Sequence, residues 1–319
     1  MTAMSSAFSR FGRLLASDAL MSKVLMVIAL TPLAVIGSIV AILAYNTAEF
    51  SSKVDLIQML SCSQWLPEEG VFGFLPFIAG TAWVTVTAMV IALPLGLLTA
   101  IFIAEYLPRR AYGFVKGLVE LLAAIPSVVY GLWGITTIVP IVKEHVAPLL
   151  SKVLGWIPIF QVNVNLGYSV LAAGFVLAIM VLPILISISE DAISSVPREL
   201  KEASFSLGAT KLQTIRKVVL RVSMPGIIVA VILSFCRAFG ETMAVLMVAG
   251  NVAKVPSTLF DPAYPLTALI ANSLGEMFSD PLYVSALATA GFILFTITFT
   301  FNVVARLLVR RIVRRRGLT

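Results

Sequence analysis

Charge is what this sequence has least of. Asp, Glu, Lys and Arg make up 12% of its 319 residues, against about 25% in an ordinary soluble domain. Hydrophobic residues reach 59% and the mean hydropathy is +1.01. A water-soluble globular fold is thereby excluded and an integral membrane protein indicated. Histidine and cysteine are nearly absent too: His145, Cys62 and Cys236 are too few for a metal cage or a disulfide framework. Cys62 falls in a polar stretch and Cys236 in an apolar one, which makes them poor partners for each other. No metal site is expected. The phosphate-cradling loop G-x-x-x-x-G-K-S/T does not occur, so the chain cannot hold and hydrolyse ATP by that route. A single histidine leaves no convincing nucleophile triad. Together these absences exclude a self-sufficient enzyme.

What fills the chain is apolar runs. A helix needs ~20 mostly apolar residues to cross ~30 Å of hydrocarbon, and six stretches qualify: 24–45, 74–104, 114–142, 167–188, 225–250 and 283–309. The fold class expected is therefore an all-α polytopic membrane protein with six transmembrane helices. The first run is longer than the ~7–15 residues of a signal-peptide core and no small-residue cleavage site closes it, so it reads as an uncleaved span. Proline and glycine interrupt several runs, at Pro32, Pro94 and Gly96, Pro126, Gly131 and Gly134, and Pro183. Such breakers are tolerated where neighbouring helices or a water-filled cavity satisfy the freed backbone. The organisation expected is a cytoplasmic tail at 1–23 and a first span with its external loop at 24–73. A transmembrane domain follows at 74–309, with a cytoplasmic loop at 190–224, then a basic cytoplasmic tail at 310–319.

The basic residues set the orientation. With the N-terminus inside, cytoplasmic segments hold Arg10, Arg13 and Lys23; Arg109, Arg110 and Lys116; Arg198, Lys201, Lys211, Arg216, Lys217 and Arg221; and Arg306, Arg310, Arg311, Arg314, Arg315 and Arg316. External loops hold only Lys53, Lys143, Lys152 and Lys254. This is a strong positive-inside bias with both ends cytoplasmic. The net charge of +7 then reflects orientation and contact with anionic lipid, not nucleic acid. The external loops lean acidic, with Glu49, Asp55, Glu68, Glu69, Glu144, Asp261, Glu276 and Asp280. They read equally as a surface for an external partner and as merely solvated loops, and 46–70 carries no recognisable signature.

The one long polar interval on the inside is EDAISSVPRELKEASFSLGATKLQTIRKVVLRVSMPG, residues 190–226. It reads as two short helices. Ser195 precedes Pro197 and is a candidate cap for a helix through Arg198–Leu207, with proline near its first turn. Gly208 ends that helix, and Thr210 caps a second from Lys211 to about Leu220. Leu200, Ala203 and Leu207 fall on one face. Such a helix is either a coupling element docked by a partner or a membrane-surface helix without one.

A second anomaly is SFCRAFGETMAV, residues 234–245, where Arg237 and Glu241 stand inside an apolar run. Ionisable groups in a span are costly and functional by default. Arg237 would lie ~18 Å past the start of the fifth span at ~1.5 Å per residue, near mid-bilayer, with Glu241 one turn further on the same face. One reading is a structural ion pair, far cheaper to bury than a lone charge. The other puts the pair on a translocation path, where the guanidinium fork suits an oxyanion such as phosphate and Glu241 competes for it when the path is empty. Thr242, Ser127 and Tyr130 are further polar candidates for that path. Pro126, Gly131 and Gly134 are expected to shape a bent third span, and Lys116 to pair with Glu120 one turn away.

Two sets of residues carry a family resemblance. Glu202-Ala203-Ser204, then Gly208 and Leu220 in register, resemble the EAA loop of permease subunits of bacterial ABC importers. Ser204 stands in place of the second alanine, and Arg221 in place of the usual proline. The runs Glu120–Gly134 and Arg237–Val245 are similar to the C-type permease subunit of phosphate-specific importers, and the likeness spans about residues 70–310. The resemblance implies the type I importer permease fold in a bacterial cytoplasmic (inner) membrane. It makes Glu202, Ala203, Ser204 and Gly208 the residues that couple to an ATPase. The partners it implies are a related A-type permease subunit in a heterodimer, two copies of an ABC ATPase that hold ATP and magnesium, and an extracytoplasmic phosphate-binding protein. This chain itself would carry no cofactor. The alternatives are a permease for sulfate or molybdate, and a stand-alone anion channel or secondary transporter, which would have no use for the EAA-type loop.

Overall fold

The computed structural model describes residues 18–52, 54–162, 166–273 and 281–315. Arg10, Arg13, Lys53, Glu276, Asp280 and Arg316 lie outside the described residues. Among the described residues five helices are long and apolar enough to cross a membrane, or six if one sharply bent pair is counted as a single span. Helix α1 (Asp18–Ser51) is apolar all round and packs along α11 (Pro281–Arg315). None of its most apolar stretch is buried within the chain, so its surface needs lipid or another polypeptide. The core forms where α3 (Leu75–Glu105) and α6 (Val170–Ser194) lie side by side with α8 (Lys211–Phe239) against them. Ala88, Ala92, Val170, Leu177, Ala178, Val181 and Ala230 are buried there.

The segment before α3, without signature in the sequence, is an ordered external cap. Asp55 caps α2 (Leu56–Ser61) by accepting from the Ile57 N–H at 3.1 Å. Strands β1 (Trp65–Leu66) and β2 (Val71–Phe72) pair antiparallel through a turn at Gly70, φ +73°. The Trp65 ring meets Phe72, Phe74 and Phe77 edge-on at 5.0–5.4 Å, a favoured aromatic geometry. Phe77 in turn meets Tyr264 at 5.2 Å, which fastens the cap to the outer ends of the bundle.

Three expected elements differ. The third span is not one kinked helix but two, α4 (Arg109–Ala124) and α5 (Ser127–Leu154), at 87° to each other. Proline removes an N–H and keeps its predecessor out of the helical region; Ile125 accordingly is extended, at ψ 128°. Helix α5 also runs on to Leu154, through residues expected to be external loop, and contains two wide turns at Gly134–Ile138 and Val142–Val146. The second short cytoplasmic helix and the fifth span are one helix, α8, which starts at Lys211 and stops at Phe239, not a span over 225–250. Val219 and Leu220 are helical and Arg221 replaces the helix-breaking proline, so nothing interrupts it there. Finally, Ser195 is the C-cap of α6, its hydroxyl bonded to the Ala192 carbonyl at 2.8 Å; Pro197 precedes α7 (Arg198–Ser206).

The outer segment after α9 (Met243–Val248) turns through Gly250 (φ +94°) and Asn251 (φ +51°) and is organised by Asp261. This carboxylate is 2% exposed and accepts from the Ser257 N–H (2.9 Å), the Ser257 hydroxyl (2.7 Å) and the Thr258 N–H (3.1 Å). Burial alone would raise its pKa. The Ser257 and Thr258 donors, with Lys254 nearby, outweigh that and hold it below the usual carboxylate range. A depressed pKa stabilises the fold above the unfolded value of about 3.9, and the contribution is lost as pH falls through the folded value. Asp261→Asn is therefore expected to lower the melting temperature at pH 7, and the gap to wild type to narrow toward about pH 3. Thermal melting in detergent checks this; a gap independent of pH would contradict it.

Candidate functional site

Helix α8 ends one residue short of Gly240, whose N–H reaches the Cys236 carbonyl at 3.2 Å. The chain leaves helical hydrogen bonding over Glu241 and Thr242 and resumes as α9. Arg237 thus sits in the last turn of α8 and Glu241 beyond it, in the gap. The expected one-turn pair on a continuous helix is absent. Among the described residues Arg237 and Glu241 form no ion pair, so a self-neutralising structural bridge does not explain them. Arg237 is exposed and Glu241 half-buried. At helical spacing, Val229 (38% exposed), Leu233 (45%) and Arg237 line one open stripe of α8, while Ala230, Ser234 and Ala238, about 100° round the helix, are buried on the adjacent flank. Arg237 lies about 24 Å further along α8 than Arg221 at ~1.5 Å per residue, within the ~30 Å thickness of a hydrocarbon core.

The gap has a second wall. The Glu241 carbonyl accepts from the Thr267 hydroxyl at 2.7 Å, so α10 (Leu266–Ser273) satisfies a group the break sets free. The Thr242 hydroxyl bonds the Gly240 carbonyl at 3.4 Å. Helix α5 packs directly on α9. A Cβ on Gly131 would stand 2.6 Å from Met247 Sδ and 3.1 Å from Ala244 Cα, and one on Gly134 would stand 2.7 Å from Val248. These glycines serve close approach, and the bend is made by Ile125-Pro126. Ser127 is half-buried at the first turn of α5. Tyr130 is buried, and its hydroxyl donates to the Leu122 carbonyl at 2.9 Å across the elbow; that bond engages the group expected to line a path.

On the cytoplasmic side, Gly208 takes φ +79° after α7, a conformation that glycine adopts without strain. Thr210 and Gln213 form a capping box at the start of α8. Ser204 and Thr214 share a hydroxyl hydrogen bond at 2.9 Å, which locks α7 against α8. Glu202, Ala203 and Gly208 are exposed, and so are Leu207 (89%), Leu212 (68%) and Phe205 (46%). Apolar side chains this open on a polar loop mark a contact surface.

One ion pair and one hydrogen bond from a lysine, both missed by sequence reasoning, join this loop to the spans. Lys201 meets Glu105 at the inner end of α3 at 2.6 Å, and Lys211 donates to the Glu105 carbonyl at 2.6 Å and lies over the Tyr106 ring. Lys116 pairs not with Glu120, which is exposed, but with Glu190 and Asp191 of α6, at 2.9 and 2.6 Å. The available signal was position: Glu105 and Glu190 are acids at inner span ends where basic residues otherwise prevail.

A long span thus breaks just beyond an exposed arginine, above a capped cytoplasmic helix with an open apolar face. A family model described as the binding-protein-dependent transport system inner membrane component matches residues 92–315. The chain belongs to that family of inner-membrane transport permeases. Its relatives include the phosphate transport system permease protein PstC of Xylella fastidiosa, 39% identical over 259 residues that cover 80% of this chain and 79% of the relative. PstC 2 of Mycobacterium tuberculosis is 41% identical over 244 residues, 75% of this chain and 74% of the relative. The probable ABC transporter permease protein YqgH of Bacillus subtilis is 37% identical over 260 residues, 81% and 79%. Among solved structures, the inward-facing MetNI methionine ABC transporter is similar in fold, with TM-score 0.51 at 20% identity over 75% of this chain and 94% of that chain. The permease fold expected from the residues stands, and its members are inner-membrane components, in agreement with the apolar spans.

In this permease the α5–α9 contact has no room for a side chain at Gly131. Gly131→Val is expected to cost roughly 1–3 kcal/mol through overpacking, read as a lower melting temperature of the purified protein. Wild-type melting would contradict the close approach.

Proposed function

We propose that this chain is a permease subunit of an ATP-driven importer that carries inorganic phosphate across the bacterial cytoplasmic membrane. The observation that carries the proposal is its 39% identity, over 80% of its length, to a permease named for phosphate transport. The chemistry of the gap supports it. An exposed arginine at hydrocarbon depth cannot face lipid without a large cost, so Arg237 faces water or a partner chain. Its planar fork binds phosphate oxygens bidentately. Glu241, in the same gap, repels an anion that lingers and offers the guanidinium an alternative partner once the anion has left. Thr242 and Ser127 add hydroxyls to the wall, and Tyr130 shapes it through the elbow.

The related A-type permease would complete the path as the other half of a heterodimer. Of the complex's two ATPase subunits, one would dock on the face made by Glu202, Ala203, Ser204 and Gly208, with Leu207 and Phe205 as apolar anchors. ATP and magnesium belong to those subunits, and this chain is non-catalytic. An external phosphate-binding protein would deliver its cargo to the ordered outer cap.

Arg237→Gln is expected to lower phosphate uptake about 10–100-fold, the worth of one charge-assisted interaction, with the complex still assembled. Glu202→Lys is expected to weaken ATPase docking. Radiolabelled uptake in reconstituted vesicles, with assembly followed by size-exclusion chromatography, checks both; normal uptake by assembled Arg237→Gln would overturn the role of the arginine.

A further inference from the structure

Helix α4 is weakly held by apolar contact. None of its residues is buried, and Phe114, Leu118 and Leu121 are 71%, 46% and 66% exposed. Its attachment to α6 is an ionic cluster. Lys116 Nζ bridges Glu190 and Asp191, and the Tyr112 hydroxyl lies 3.2 Å from both Glu190 oxygens and 3.2 Å from Lys116 Nζ. The Ser194 hydroxyl donates to Glu190 at 2.6 Å. Glu190 is 1% exposed, and a buried carboxylate does not readily give up a cation that pairs with it. The joint is therefore stiff.

Its position matters as much as its stiffness. Glu190 and Ser194 are the last turn of α6, immediately before the coupling helix α7. At the other end of α4, Tyr130 ties the elbow by its bond to Leu122, and α5 then packs through Gly131 on Ala244 and Met247 of α9. Helix α9 follows directly on Glu241 and Thr242. Two routes thus run from the coupling face to the gap. One is α8 itself, continuous from Lys211 to Arg237. The other passes through α4, α5 and α9 and moves the opposite wall.

We infer that the Lys116–Glu190 cluster is the mechanical link that makes the second wall of the gap follow the coupling helix, so that both walls move together. Lys116, Tyr112 and Glu190 are positioning residues that touch no cargo. Rigid elements joined at stiff contacts transmit a displacement, and a loosened joint absorbs it. With the joint loosened, the ATPases still drive α8 while α5 and α9 lag, and hydrolysis proceeds without a matching opening of the path. This rests on the import reading above.

The test measures phosphate imported per ATP hydrolysed by the whole reconstituted complex. In Lys116→Met and in Glu190→Gln the ratio is expected to fall about tenfold, the effect of a single strong coupling, and Lys116→Arg to recover most of it. The double variant Lys116→Met with Glu190→Gln is expected to fall no further than the worse single change, because both break the same joint. A wild-type ratio in assembled Lys116→Met, or losses that multiply in the double variant, would overturn the link. If Lys116→Met does not assemble, Tyr112→Phe decides: a reduced ratio supports the link and an unchanged one overturns it. If the wild-type complex imports a different oxyanion, the phosphate reading fails, and the same ratio counted for that ion still tests the link.

Discussion

Hydrocarbon offers a peptide group no partner, so every break in a spanning helix has to be satisfied by the chain itself. Two breaks dominate this permease, at Ile125-Pro126 and at Gly240–Thr242, and much of the surrounding packing follows from covering them. The Tyr130 hydroxyl supplies a donor to the Leu122 carbonyl at the first, and Thr267 supplies one to the Glu241 carbonyl at the second. The helices that follow the two breaks, α5 and α9, pack on each other through Gly131 and Gly134, where a Cβ would overlap its neighbours. The break at Gly240–Thr242 takes Arg237 and Glu241 off a common helical face, and among the described residues they form no ion pair with each other.

Charge at the inner membrane surface does two jobs. Lys116, Lys201 and Lys211 contribute to the inward bias of basic residues, and each also fastens one element to another. Lys201 and Lys211 hold the cytoplasmic segment of α7 and the start of α8 to the inner end of α3, and Lys116 holds α4 to α6. Exposed ion pairs contribute little, but Glu190 and Glu105 are largely shielded, with side chains 2% and 10% exposed, so these contacts define positions.

Much of this was legible in the residues, for reasons that differ from element to element. The spans were visible because length and apolarity are set by bilayer thickness. Gly208 and Thr210 were read correctly because their roles are local, one a left-handed backbone, the other a cap within three residues. The right angle at Pro126 was underestimated, since a proline kink and a full break share one signature and only the neighbouring helices decide between them. The stop of α8 at Phe239 is hidden because Phe-Gly-Glu-Thr is flanked on both sides by apolar residues, while the group that satisfies the break, Thr267, is distant in sequence. Lys116 was assigned to Glu120 because only neighbours in sequence are visible there; its partners Glu190 and Asp191 are brought near by the fold. The hairpin and aromatic cap around Trp65 likewise depend on Tyr264 and Tyr283 from the far end of the chain.

The claim on which the rest hangs is that the open stripe of α8 and the gap beyond it face a water-filled path whose access changes with the ATPase cycle. The direct measurement is thiol labelling of the assembled importer by a water-soluble reagent, with Cys62→Ser and Cys236→Ser as background. Leu233→Cys and Thr242→Cys report on the path and Ala230→Cys on the buried side. Labelling at 233 and 242 that changes between ATP-bound and nucleotide-free states, with 230 unreactive, is the predicted result. Protection of 233 and 242 equal to that of 230 under every nucleotide condition would mean that the stripe packs against lipid or a partner chain, and would contradict the account.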